Sequence, residues 1–215
     1  MNTKTRQSIT VAMLCAAAYV VMMLGRVPIV LFLKYDPKDV IIVIGGFLFG
    51  PMTAFAISAV VSFLEMLTMS ETGVIGCVMN ILSSCSFACT AAFLYKKKRS
   101  LSSAVIGLAA GCVMMAAVMI SWNYLIAPIY MGYPREVVMK MLLPAFLPFN
   151  LLKGGLNTAI ALLLYKPVVT ALRKTRLIEQ AGNQAEKKKK TGILLIALLL
   201  LATSVFFMLV LKGIV

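Results

Sequence analysis

Asn150, Lys153 and Asn157 fall at i, i+3 and i+7 in "PFNLLKGGLNT" (148–158), the spacing of one helical face, inside a stretch otherwise apolar enough to lie in lipid. A carboxamide carries two donors and an acceptor, and a lysine adds a cation. The set suits reading the polar edge of a heterocycle. With Pro144 taken as the outer helix end, Lys153 lies about 13 Å down the helix at ~1.5 Å per residue, a depth at which an unpaired ammonium is costly.

Two further groups reach the same depth. "SWNYLIAPIY" (121–130) puts Trp122, Asn123 and Tyr124 about one turn below the outer end of the preceding helix. "LKYDPKD" (33–39) reads as an external, Pro-containing loop whose Tyr35, Asp36, Lys38 and Asp39 could close over a cavity. Together they suit a planar amphipathic ligand held between aromatic, Met and Leu side chains.

Plainer accounts stand beside this one. Asn and Lys can bridge membrane helices, and Trp122 is either an interfacial anchor or a ligand contact. For Lys153 with Asn150 the cost of an intramembrane charge favours a ligand role. Glu65 in "SFLEMLTMS" is either a surface residue or the partner of Lys153. Asn80, two turns into the helix opened by "GVIGCVMN" (73–80), serves either packing or the ligand.

The elements that carry these residues follow from composition. Of 215 residues, 61% are hydrophobic and 13% charged, with a mean hydropathy of +0.97, which marks an all-α integral membrane protein. Apolar runs predict helices near 8–25, 74–95, 101–127, 142–172 and 192–211. The stretch 39–69 is too long for one ordinary crossing and is expected to form two helices turning at Gly50-Pro51. Residues 8–25 follow a basic start but lack a convincing cleavage site, and are read as a first membrane helix.

The net charge of +14 would suggest nucleic acid in a soluble protein, but here the basic residues cluster between apolar runs and read as topology signals. With the N-terminus in the cytoplasm, 14 of 21 basic residues lie in inner segments and six in outer ones, Lys153 standing apart. That orientation of a multi-pass cell-membrane protein is the one favoured. The five cysteines sit in apolar runs without metal-site spacing and are expected to be reduced and buried. Histidine is absent, and no HExxH, membrane Asp pair or Walker A sequence occurs, which argues against an enzyme and against intrinsic ATP hydrolysis.

Three units are expected: a six-helix membrane domain over 1–176, a charged cytoplasmic linker over 177–191, and one extra transmembrane helix over 192–215, with an extracellular C-terminus if that helix spans. The lysine run Lys187–Lys190 suits anionic lipid or, less simply, a partner. The last helix has no polar face and reads as a peripheral anchor. Near the inner end of the first helix, Ala12 and Ala16 are four apart, the spacing that lets another helix approach closely.

"YDPKD", "GVIGCVMN", "NYLIAPIY" and "PFNLLKGGLN", in this order and spacing, resemble the riboflavin-binding S component of energy-coupling factor (ECF) transporters, over about residues 8–172. The resemblance implies a six-helix protein that captures riboflavin from outside as a transported substrate, not a cofactor. It implies partners as well: a membrane T component and two cytoplasmic ATPases, onto which the S component topples. Its small-residue docking motif matches Ala12 and Ala16, and its flavin contacts match Asn123, Asn150 and Lys153, with the loop from Tyr35 to Asp39 serving the ribityl side or a lid. The seventh helix departs from the family pattern. The alternatives are an S component for FMN, thiamine or biotin, a membrane enzyme, or a stand-alone channel or exporter.

Overall fold

The computed structural model of the chain describes residues 3–30, 33–70, 72–174 and 190–211. The charged linker lies outside these up to residue 189, as do Glu71, Arg176 and Lys212. The order is α1 (Thr3–Gly25), β1 (Val27–Val30), β2 (Leu33–Tyr35), α2 (Lys38–Phe49), α3 (Pro51–Thr68), α4 (Gly73–Lys98) and α5 (Leu101–Met131). Then come α6 (Arg135–Met141), a π-helical turn over Leu142–Phe146, α7 (Leu147–Lys174) and α8 (Lys190–Leu211). With α6, the π turn and α7 taken as one bent helix, the described residues form seven helices. Among the described residues, five stretches, the last running from Arg135 to Tyr165, are long and apolar enough to cross a membrane, and Leu194–Val210 adds a shorter apolar one.

The expected turn at Gly50-Pro51 is there. Gly50 takes φ 102°, a region closed to most L side chains, and Pro51 opens α3 at the position where its missing N–H costs nothing. The halves on either side differ in burial. α2, at about 18 Å, is too short to cross a membrane alone, and it is enclosed instead. Val40, Ile42, Val43 and Ile44 are all buried, packed with Leu14, Ala18 and Met22 of α1, Ile57 and Val61 of α3, and Phe87 and Ala91 of α4. Enclosing its first turn takes Lys38 and Asp39 out of solvent.

Two expectations are corrected. The loop between α1 and α2 is not wholly irregular: β1 and β2 pair as an antiparallel hairpin, Val27 with Tyr35 and Pro28 with Lys34. β-Branched residues favour the extended chain there, and the Arg26–Asp36 ion pair closes the hairpin at its base. The helix expected from residue 142 begins instead at Arg135, so its end lies well before Pro144. Pro144 has no N–H and its ring crowds the preceding turn; the backbone widens there, and the Leu147 N–H bonds to Leu142 O.

α4 and α5 meet closely. A Cβ built on Gly107 would stand 2.7 Å from Ala91 O, so only glycine admits this approach. α8 rests one side on α7, where a Cβ on Gly155 would meet Ser204 Oγ at 3.0 Å. Leu201 and Met208 pack against the cluster of Phe149, Leu152 and Leu156, while Leu195, Leu199 and Phe206 stay exposed, as suits a lipid-facing helix.

Candidate functional site

Successive helices alternate in direction, so the ends of α1, α3 and α5 meet the beginnings of α2, α4 and α7 at one end of the bundle. A partly open cavity of about 160 Å³ lies there. The hairpin supplies Leu33 and Lys34 to its wall, with Arg26 just before it and Asp36 just after; α3 gives Glu65 and α4 gives Met79, Asn80 and Ser83. α5 adds Met119, Asn123 and Tyr130, and α7 adds Phe149, Asn150 and Lys153. Thioethers and a phenyl ring offer faces to a flat ring system, and amides and charges offer edges.

Beneath and beside the cavity runs a network of three cations and three carboxylates. Arg26 Nε donates to Asp36 Oδ1 at 2.7 Å, and its Nη2 also reaches Glu65. Lys38, fully buried, pairs with Glu65 and lies 3.9 Å from Asp36. Lys153 Nζ lies 3.1 Å from Asp39 Oδ2 and donates to Ser83 Oγ at 3.2 Å. Asp39 further accepts from Ser84 Oγ at 2.5 Å and Asn157 Nδ2 at 3.3 Å, and Tyr35 OH donates to Asn157 Oδ1 at 3.0 Å. Buried charges persist in this form, paired and hydrogen-bonded. Burial works against the Arg26 charge, but the bonds and attraction of Asp36 and Glu65 outweigh it and raise its pKa. Burial, with Asp39 and Asp36 close by, pushes the Tyr35 phenol above the usual tyrosine range, so it stays a donor.

The residues singled out in the sequence divide into two groups. Asn123, Asn150, Lys153, Asn80 and Asp36 line the cavity. Asn123 is fixed by a bond to Met119 O at 2.7 Å and accepts from Tyr130 OH at 3.3 Å. Asn150 Nδ2 donates to Phe146 O at 2.8 Å, inside the π turn, and its Oδ1 has no protein partner among the described residues.

Tyr35, Lys38, Asp39 and Trp122 do not line the cavity. The first three were expected in a loop that closes over it; they stand in the network below, because α2 begins at Lys38 and buries its first turn. Trp122 packs against the main core with no partner for its buried Nε1 among the described residues, and Tyr124 faces outward under Arg135, at 5.4 Å from the ring centre. Glu65 is neither a surface residue nor the ion-pair partner of Lys153: it takes Arg26 and Lys38, and Asp39 takes Lys153. Ala12 and Ala16 are exposed on α1, toward the other end of the bundle.

Sequence reasoning missed Arg26, Ser83, Tyr130 and Phe149. In the sequence Arg26 reads only as a charge flanking an apolar run. Asn80, Ser83 and Ser84 do stand at i, i+3 and i+4, a polar stripe visible in "NILSSCS".

Comparison with known proteins agrees with this architecture. Residues 6–165 match the family model described as "ECF transporter, substrate-specific component". The chain is 28% identical over 180 residues to the riboflavin transporter RibU of Staphylococcus aureus (strain TCH60), covering 80% of this chain and 94% of that one. It is 29% identical over 190 residues to the riboflavin transporter FmnP of Bacillus subtilis (strain 168), covering 81% of this chain and 99% of that one. A solved S component of a bacterial ECF transporter superposes with a TM-score of 0.67 at 29% identity, over 79% of this chain and 99% of the other. With the family model spanning most of its membrane helices, the chain belongs to the substrate-specific components of ECF transporters.

Proposed function

We propose that this chain captures riboflavin at the outer face of the cell membrane and delivers it by toppling onto an ATP-driven module of a T component and two ATPases. The observation that carries the reading is the convergence of Asn123, Asn150 and Lys153, from α5 and α7, on one cavity walled by Met69, Met79, Met119 and Phe149. The methionines and Phe149 take the faces of the isoalloxazine ring; the carboxamides and the ammonium take its polar edge or the ribityl hydroxyls. Its relatives are named as riboflavin transporters, which supports the choice of ligand.

In this reading residues 1–176 form the binding unit, the N-terminus is cytoplasmic, and the cavity opens outward. The segment 192–215 adds a further crossing that ends outside. Ala12 and Ala16, exposed at the inner end of α1, meet the T component.

The test is a fluorescence titration of the purified protein with riboflavin, FMN and thiamine. Tight riboflavin binding is expected, with Lys153→Met weakening it by about 30-fold or more, the scale for truncating one member of a buried hydrogen-bonded charge pair. Absence of tight riboflavin binding by the unmodified chain overturns the proposal.

A further inference from the structure

Asp39 is fully buried and does not line the cavity, yet its carboxylate collects donors from two helices. Lys153 and Asn157 reach it from one face of α7 and Ser84 from α4, while Asp39 itself stands in the first turn of α2. Asn157 is in turn held by Tyr35 of the hairpin. Lys153 thus has one partner in Asp39 and a second in Ser83, and an ammonium has three protons. The third has no protein partner among the described residues, and Lys153 is part of the cavity wall.

Stability does not explain this pair. A buried ion pair usually contributes no more than well-packed apolar side chains of similar size would, so its position beside the cavity calls for another reason. Asp39 is also the one carboxylate within ion-pair distance of Lys153 among the described residues, since Asp36 and Glu65 are taken by Arg26 and Lys38.

Resting on the capture reading above, we infer that Asp39 is a positioning residue for ligand binding. It anchors the Lys153 ammonium from below, so that the remaining N–H points into the cavity, and it ties that geometry through Asn157 and Tyr35 to the hairpin at the cavity mouth. Asp39 does not touch the ligand.

The experiment is a double-mutant cycle read by riboflavin titration: the unmodified chain, Asp39→Asn, Lys153→Met and the two combined. Asp39→Asn is expected to raise the riboflavin Kd at least about tenfold. In the Lys153→Met background the same change is expected to alter Kd by less than about twofold, since its target is gone. General damage to the fold would weaken binding equally in both backgrounds, and that result overturns the inference. If Asp39→Asn does not fold, Ser84→Ala replaces it, removing one bond to Asp39 and no charge. Its expected loss is about two- to tenfold, again confined to the background that keeps Lys153. An unmodified chain that binds riboflavin beside an Asp39→Asn variant with unchanged Kd overturns this inference alone. An unmodified chain that does not bind riboflavin overturns the capture reading as well.

Discussion

At the α4–α5 contact, Gly107 and Gly111 bring two backbones together with no side chain between them, whereas at the cavity-side ends of α2, α3 and α7 long charged side chains span the gaps. The first contact works through dispersion between close surfaces and holds regardless of what the site contains. The second offsets the cost of taking ions out of water only while every member is present. Close packing therefore makes the frame, and the ionic network sets the shape of the cavity within it.

Breaking the network at one point has the largest expected effect. Lys38→Met leaves Glu65 short of a partner and is expected to cost about 3–5 kcal/mol, read as a fall in the thermal unfolding midpoint. Adding Glu65→Leu, which leaves Arg26 with Asp36, is expected to recover most of that loss. If the double variant is no more stable than the single one, the network is not acting as a set of pairs.

Overfilling the frame comes next. Gly107→Leu drives a side chain into the Ala91 backbone and is expected to cost about 1–3 kcal/mol, the range for overpacked sites. An unchanged midpoint would show that α4 and α5 have slack. A smaller effect is expected where the cavity wall is held by a single neutral bond. Tyr130→Phe removes the donor to Asn123 and is expected to weaken riboflavin binding by less than about tenfold, measured by titration. Least of all should the fold notice Ala12→Trp with Ala16→Trp, exposed substitutions expected within about 0.5 kcal/mol of neutral and without effect on ligand affinity. Co-purification with the T component proposed above is expected to be lost, and normal assembly would remove these alanines from the proposed docking surface.

How far the sequence reached follows the same division. The α7 stripe of Asn150, Lys153 and Asn157 was legible because polar residues at helical spacing stand out in an apolar run. The break at Gly50-Pro51 was legible from its residue types. What stayed hidden were pairings between distant segments. Asp39 and Lys38 carry charges just after a proline, which reads as an exposed loop, and nothing local says that α1, α3 and α4 close around them. Asp39 and Lys153 are far apart in the chain, so their contact depends on how α2 and α7 pack. Arg26, next to a helix end, looks like a topology charge until Asp36 folds back through the hairpin to meet it. Likewise Trp122 could be placed by depth, but the side of α5 it occupies depends on the packing of its neighbours.

Among the described residues, the network of Arg26, Lys38 and Lys153 with Asp36, Asp39 and Glu65 has as many positive as negative members. Each unbalanced charge carried across a membrane would feel about 2.3 kcal/mol per 100 mV of potential. In the toppling cycle proposed above, these six side chains therefore move as an electrically silent group. The network itself therefore adds no dependence on membrane potential to that proposed cycle.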